Sequence, residues 1–311
     1  MAIHTAQLMD GVQQKSPDFF IVGAPKCGTT SLYKYLKGHP EIYLPEKKEL
    51  HFFSAESIKK NAEGPGDKEA ISKICSDVDA YKAQFDNCPS NKIAGDVSPS
   101  YLYYYDVASS IKQFSPNAKI VIVLRNPAKK AFSQWSHMLR SGQESLSFRD
   151  GLKEEPKRVS NAWNDMWHYI EGSRYARGVR HYLEVFGEER VKIILFEEMV
   201  DNTDSILAAL FNFLGVDPSV KLDTATVHNE GAGKSRFGRS SMLLMRNEQF
   251  KRVVRSIVPK TQLKNLEALA SKIMFRKKTS ISAADYEYVI RELESDIREL
   301  ESLLKKPTGW L

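Results

Sequence analysis

The stretch FFIVGAPKCGTTSLYKYL, Phe19 to Leu36, falls into three parts. Asp18 to Val22 ends in an apolar run suited to a buried strand, Gly23 to Gly28 packs two glycines, a proline and a lysine into a tight loop, and Thr29 onward has helical spacing. Glycines let backbone N–H groups turn inward, and the first turn of the following helix adds unpaired donors and the positive end of its dipole. Strand, glycine-rich loop and helix together make a cradle for an anion. Taken alone, such a loop also serves as a structural turn, so the rest of the chain has to supply supporting residues.

The spacing narrows the chemistry. A Walker A loop places Gly, four residues and then Gly-Lys-Ser/Thr, so that the lysine reaches the outer phosphates and the hydroxyl holds magnesium. Here Gly23 and Gly28 keep that spacing, but Thr29 and Thr30 follow and the lysine has moved back to Lys26. The match to an ATP- and magnesium-dependent phosphotransferase is therefore poor. The loop resembles instead the 5′-phosphosulfate loop of the sulfotransferases that use 3′-phosphoadenosine 5′-phosphosulfate (PAPS), in which a lysine shortly before the glycine faces the transferring sulfuryl group.

Composition sets wider bounds. The 311 residues, 42% apolar and 27% charged, have the balance of a globular protein with a sizeable core. We expect residues 1–16 to form a flexible N-terminus and residues 17–311 a single domain. With 45 basic against 39 acidic residues the chain suits a local anion site rather than a nucleic-acid coat. Cys27, Cys75 and Cys88 have neither metal spacing nor the even count of a disulfide framework. No signal peptide or membrane span is legible, and the expectation is a soluble, cytoplasmic protein with no metal. Cys27 lies inside the cradle and is counted with its residues; nothing in the sequence assigns it a base or a redox partner.

Past the cradle, Gly38-His39-Pro40 stops the first helix. Glu49 and His51 then precede Phe52 and Phe53, and a carboxylate and an imidazole beside a phosphate loop are candidates for proton transfer. A solvated glutamate and a packed histidine are the plainer alternatives. The segment Lys48-Glu49-Leu50-His51-Phe52-Phe53 resembles the Lys-Glu-x-x-Phe-Phe segment of sulfotransferases acting on heparan-type sugars and of their bacterial relatives, a resemblance that implies Glu49 as the general base. Residues 55–90 read as a polar surface excursion with a short helix near Val78 to Phe85. Lys92 to Val97 returns as a strand, and Asp96 with Ser98 beside it falls near the acceptor, to bind its hydroxyl or tune Lys26. A loop cap is the alternative for Asp96.

The second signal is KIVIVLRNPAKKAFSQWSHMLR, Lys119 to Arg140. Ile120 to Leu124 is a strand covered on both faces, Asn126 and Pro127 are good N-cap and N1 residues, and Ala128 to Leu139 is helical. Arg125 therefore sits at the strand's carboxyl end, and Ser133, close to two turns into the helix, can face the same crevice. A guanidinium and a hydroxyl make a monophosphate site. The pair resembles the sulfotransferase pattern in which an Arg-x-Pro turn and a later serine hold the cofactor's 3′-phosphate.

Residues 147–172 carry Phe148, Trp163, Trp167 and Tyr169, readable either as a mobile lid over an acceptor or as a buried helical stripe. A helix over Ser173 to Phe186, a strand over Val191 to Phe196 and a helix over Thr203 to Leu214 continue the alternation, which predicts a parallel sheet with helices on both faces. The Phe213-Leu214-Gly215 helix stop is similar to the family's. The glycine-rich, basic stretch Asn229 to Arg239 reads as a loop, and the resemblance implies that Lys234, Ser235 and Arg236 cover the adenosine and its 3′-phosphate. Residues 251–278 are basic, which for a helix face ordinarily means solvent contact. Ser282 and Asp285 start a last helix with a heptad-like stripe, Tyr286, Ile290, Leu293, Ile297, Leu300 and Leu304, for packing on its own domain or for a homodimer seam. The ending Leu303 to Trp310 is similar to that of bacterial sulfotransferases.

The expected fold is thus a three-layer α/β domain with a central parallel sheet and a P-loop-like phosphosulfate loop. The resemblance implies sulfuryl transfer from PAPS to the hydroxyl, or less readily the amine, of a small-molecule or carbohydrate acceptor. Lys26 would neutralise the sulfuryl and leaving oxygens, Cys27 to Ser31 would hold the 5′-phosphate, Arg125 and Ser133 the 3′-phosphate, and Glu49 or His51 would be the base. An ATP- and magnesium-dependent phosphotransferase and a catalytically inactive nucleotide-binding protein are the two alternatives.

Overall fold

The computed structural model describes residues 15–224 and 280–311. Five parallel strands, β1 (Phe19–Gly23), β2 (Ile42–Tyr43), β3 (Ile93–Val97), β4 (Lys119–Leu124) and β5 (Val191–Leu195), lie in the order β2-β3-β1-β4-β5. Every residue of β1 is buried, as is β4 after its first, because both strands have a neighbour on each side and helices above and below.

The chain leaves β1 through α1 (Thr29–Lys37) towards β2, and leaves β3 through α5 (Val107–Phe114) in the opposite direction towards β4. Right-handed crossovers running opposite ways put their helices on opposite faces. The packing agrees. On one face His39, just past α1, meets Phe211 of α10 (Thr203–Leu214) with ring centroids 4.5 Å apart. On the other, α5 packs on α8 (Ala176–Phe186), which lies against β4 and β5. The helix α6 (Pro127–Arg140) starts as expected, with Pro127 at its first position and Asn126 Oδ1 accepting from Lys129 N at 3.1 Å. At the far end, Gly215 closes α10 in the left-handed conformation.

The last helix, here α11 (Ala283–Leu304), opens with the expected cap, Ser282 Oγ accepting from Asp285 N at 3.1 Å. Its stripe faces inward: Val289, Leu293, Ile297 and Leu300 are buried against α6 and α8 in the same apolar cluster as β1 and β4. Each such side chain contributes on the order of 1.5–3 kcal/mol. This stripe is therefore taken up by the chain's own core.

Two stretches differ from the sequence reading. Residues 55–90 are more than a surface excursion: around α2 (Ala55–Lys60), α3 (Asp67–Ile71) and α4 (Val78–Lys82), Cys75, Tyr81 and Phe85 join Leu50 and Ala94 in a second small core. In residues 147–172 the chain forms α7 (Phe148–Ser160) and two short turns, and Phe148, Trp167 and Tyr169 are buried. Arg158 stacks over Trp163, Trp167 and Tyr169 and pairs with buried Glu144 at 2.7 Å. The aromatics enclose a buried ion pair and form core, so the lid reading is corrected.

Candidate active site

The loop between β1 and α1 is shaped by what lies beneath it. Gly28 has φ +90°, and a Cβ there would come within 2.7 Å of the Phe196 ring, so only glycine fits. No side chain caps α1 and no acidic residue stands in its first turn, which leaves its leading N–H groups available to an anionic ligand. Lys26 is left-handed at φ 66°, a strained conformation for a residue with a Cβ.

Arg125, at the end of β4, reaches across to this loop. Its Nη1 donates to the Lys26 carbonyl at 3.1 Å, and its guanidinium lies over the Phe196 ring at 4.7 Å. Its Nε is buried without a hydrogen-bond partner. A buried, unsatisfied guanidinium nitrogen at an uncapped helix start suits a ligand carrying phosphate oxygens. Below it, Tyr175 Oη donates to the Arg125 carbonyl at 3.0 Å, and Glu197 of α9 (Phe196–Asp201) accepts from Asn126 N at 3.0 Å.

The segment carrying Glu49 and His51 forms the opposite wall. Tyr33 Oη donates to the Pro45 carbonyl at 2.6 Å, tying it to α1, and Glu49 N donates to the Val97 carbonyl at 3.1 Å, tying it to the end of β3. At and just past the second tie, Glu49 and His51 are both left-handed, at φ 62° and 55°. Lys48 Nζ donates to Thr30 Oγ1 at 2.9 Å and also to Glu49 Oε1. His51 Nε2 stands 3.9 Å from Glu49 Oε2, and its Nδ1 shares a hydrogen bond with Ser100 Oγ at 2.7 Å.

The charges act on one another. Burial pushes the Glu49 carboxyl up, but Lys48, His51 and Lys26 outweigh it and hold the group below its ordinary value. Burial holds the His51 imidazole below its usual value, with Lys48 and Lys47 adding to the effect against Glu49. Lys26 is brought down to about 8, first by burial and then by Arg140, with Lys48 and Arg125 adding to it. Cations crowded closely enough to depress Lys26 mark a place where an anion would relieve it.

Ser133 stands half-buried on α6. His137 and Arg140, four and seven residues further on, share its helical face. His137 is exposed as a residue, yet loss of water round its ring, then Lys26 and Arg140, take it down to about 4. Neither His137 nor Arg140 was singled out in the sequence; the signal was the spacing from Ser133, legible only once α6 was known to run beside the loop. Lys48 stood in the quoted motif without a role, and the structure joins it to Thr30.

Other expectations are corrected. Asp96 and Ser98 are both shut off from solvent, so neither meets an acceptor here. Asp96 accepts from Ser98 Oγ at 2.7 Å, Tyr101 Oη at 2.9 Å and Tyr81 Oη at 3.0 Å, while burial pushes its carboxyl up to about 6. Ser98 Oγ accepts from His51 N at 3.1 Å, so the pair supports the wall from behind. The Cys27 side chain also points away: it is buried 3.7 Å from Tyr175 Oη, and burial raises its thiol to about 11. Thr29 is buried, and Thr30 and Ser31 are partly exposed beside it. Lys234, Ser235 and Arg236 lie outside the described residues, as does the basic stretch 251–278. No described helix is long and apolar enough to cross a membrane.

Comparison with known proteins places this geometry. The family model described as the Sulfotransferase family matches residues 17–219. A crystal structure of a sulfotransferase from Alicyclobacillus acidocaldarius is 31% identical, covers 95% of this chain and 99% of that one, and superposes with a TM-score of 0.74. Human carbohydrate sulfotransferase 15 is 23% identical over 265 residues, 71% of this chain and 47% of that protein. Human heparan sulfate glucosamine 3-O-sulfotransferase 3A1 is 23% identical over 216 residues, 68% of this chain and 47% of that protein. The chain thus spans about half the length of these two relatives.

Proposed function

Because this chain belongs to the sulfotransferase family, we propose that it moves a sulfuryl group from PAPS to an acceptor hydroxyl, releasing 3′,5′-diphosphoadenosine (PAP). The observation that carries this reading is the tie between Arg125 and Lys26 beside an uncapped helix start, with Lys48 held on Thr30 across the loop. It sets cations at two places, as a nucleotide with separate 3′ and 5′ anionic groups requires.

PAPS supplies a sulfuryl group on a good phosphate leaving group; the chain supplies position and charge. The leading N–H groups of α1, with the Thr30 and Ser31 hydroxyls, bind the 5′-phosphate. Arg125 and Ser133 bind the 3′-phosphate. Lys26 and Lys48 neutralise charge on the oxygen that bridges phosphorus and sulfur and on the sulfuryl oxygens. One S–O bond to phosphate breaks while one to the acceptor oxygen forms, and the acceptor's proton passes to Glu49, whose carboxylate is held ionised beside Lys48 and Lys26. His51, anchored on Ser100 and held below its usual value first by burial, is the second candidate for that proton.

For the acceptor we put a carbohydrate hydroxyl first, supported by the two relatives whose names carry that substrate class. A reducing, cytoplasmic location is part of the same reading, supported by Cys27, Cys75 and Cys88 standing as free thiols. The direct test is calorimetric titration with PAP and, separately, with ATP and magnesium. Tight binding of PAP alone is the expected result; binding of ATP with magnesium and none of PAP would replace the reading by phosphoryl transfer.

A further inference from the structure

Behind His51 lies a short chain of hydroxyls whose protons can be counted. Ser54 and Ser100 are both buried; Ser54 Oγ stands 2.8 Å from Ser100 Oγ, which in turn stands 2.7 Å from His51 Nδ1. Ser54 occupies the N-cap position of α2, yet its hydroxyl caps no backbone N–H of that helix. It turns back instead and donates to the His51 carbonyl at 3.3 Å. A serine at a helix start ordinarily accepts from the helix it opens; this one serves the histidine.

A carbonyl oxygen only accepts, and a hydroxyl has one proton to give. With the Ser54 proton directed to the His51 carbonyl, the contact between the two hydroxyls takes its proton from Ser100. Ser100 then has none left for the ring, so His51 Nδ1 carries the proton of their hydrogen bond. A neutral imidazole has a single N–H, which leaves Nε2 with a bare lone pair. The gap on that side of the ring fits the count. Nε2 is 3.9 Å from Glu49 Oε2, beyond hydrogen-bond reach, whereas an N–H at this position would be drawn to the carboxylate. The backbone beneath the ring is fixed as well, Ser98 Oγ accepting from His51 N at 3.1 Å and donating to Asp96 at 2.7 Å.

We infer that Ser100 and Ser54 are positioning residues for the transfer: they fix the His51 proton on Nδ1, so that Nε2 faces Glu49 as a second resting place for the proton leaving the substrate hydroxyl. The S–O bond to the hydroxyl oxygen forms as the S–O bond to phosphate breaks, the proton passes to Glu49, and Nε2 is there to share it. The opposite tautomer would donate to Glu49 and weaken it as a base. The inference rests on the sulfuryl-transfer reading of the same site.

The test reads the proton directly. The full chain with isotope-labelled histidine is measured at about pH 8, above the ordinary histidine value, by long-range proton–nitrogen correlation, which tells which ring nitrogen is bare. His51→Asn identifies the signals. A bare Nε2 in the wild type, with and without PAP, is the expected result. Ser100→Ala removes the partner of Nδ1, and Ser54→Ala frees the Ser100 proton to turn towards the ring, so both should move the His51 proton to Nε2. In both, PAP release from PAPS with desulfated heparin as the acceptor probe should fall by about tenfold in kcat, with PAP affinity changed by less than about twofold. Ser54→Thr, which keeps the hydroxyl, should restore the tautomer and most of the rate. A wild-type proton on Nε2 would overturn the inference, as would an unchanged tautomer or an unchanged kcat in Ser100→Ala; with PAP still bound, the nucleotide reading would stand. Absence of PAP binding to the wild type would remove the sulfuryl-transfer reading and this inference together.

Discussion

Arg125 donates to the backbone carbonyl of Lys26 across 99 positions of sequence, at 3.1 Å. The residue assigned to one end of the nucleotide therefore also shapes the loop that meets the other. Arg125→Ala should cost PAP affinity by more than the loss of one phosphate contact, and adenosine 5′-phosphosulfate, which has no 3′-phosphate, should weaken too, though less. We expect roughly a hundredfold for the first and severalfold for the second by calorimetry. Equal losses would mean that Arg125 acts on the loop alone.

Lys26 is brought down to about 8 in the free protein. An anion beside it raises that value, so PAP binding should take up a proton between about pH 8 and the ordinary lysine range, and affinity should fall as pH rises through that window. Titration at pH 8.5 in buffers of different ionisation enthalpy reads the uptake directly. No uptake would place Lys26 away from the phosphates.

Turnover separates binding from chemistry. Lys26→Ala should lower kcat by about a hundred- to a thousandfold, with a smaller change in PAP affinity. Glu49→Gln should lower kcat by about a hundredfold or more and abolish the acid limb of the kcat/KM profile, which in the wild type lies at or below the usual carboxylate range. If that limb survives in Glu49→Gln and disappears in His51→Asn, the proton goes to His51.

Asp96 makes a claim on stability. Its carboxyl is raised to about 6 when folded, so the folded state binds the proton more readily than the unfolded one, and this group adds stability as pH falls from 7 towards 5. Asp165 and Glu155, raised to about 6 and about 7, push the same way. In Asp96→Asn the gain between pH 7 and pH 5 should shrink by about 1 kcal/mol. Urea denaturation of both proteins at the two pH values measures the difference, and identical slopes would show that the Asp96 proton is not linked to folding.

The legible parts of this molecule were the local ones. Gly28, Asn126-Pro127 and Ser282 act through the backbone within a few residues, so their spacing predicted the cradle and two helix starts. The parallel sheet with helices on both faces followed because apolar runs alternate with helices, whereas the strand order came only with the structure. What stayed hidden depends on contacts distant in sequence. Asp96 at a strand end looks like a ligand-facing carboxylate until Tyr81 and Tyr101 are seen to close over it. Trp167 and Tyr169 look like a lid until they are seen buried in the core around Arg158 and Glu144. Arg140 has no sequence mark at all, because its effect on Lys26 arises only from the fold.

The helix α11 has a consequence for what counts as the working unit. Asp296 receives Tyr175 N at 2.8 Å and Ala176 N at 3.2 Å at the start of α8, and Tyr286 Oη accepts from Asn126 Nδ2 at 2.8 Å. Tyr175 in turn donates to the Arg125 carbonyl. The turn that aims Arg125 is thus buttressed from residues 286 and 296, well past the matched segment 17–219. Alignment and mechanics draw the boundary of this protein in different places: a fragment trimmed to the recognisable family region would keep the cradle's sequence and lose what keeps it rigid.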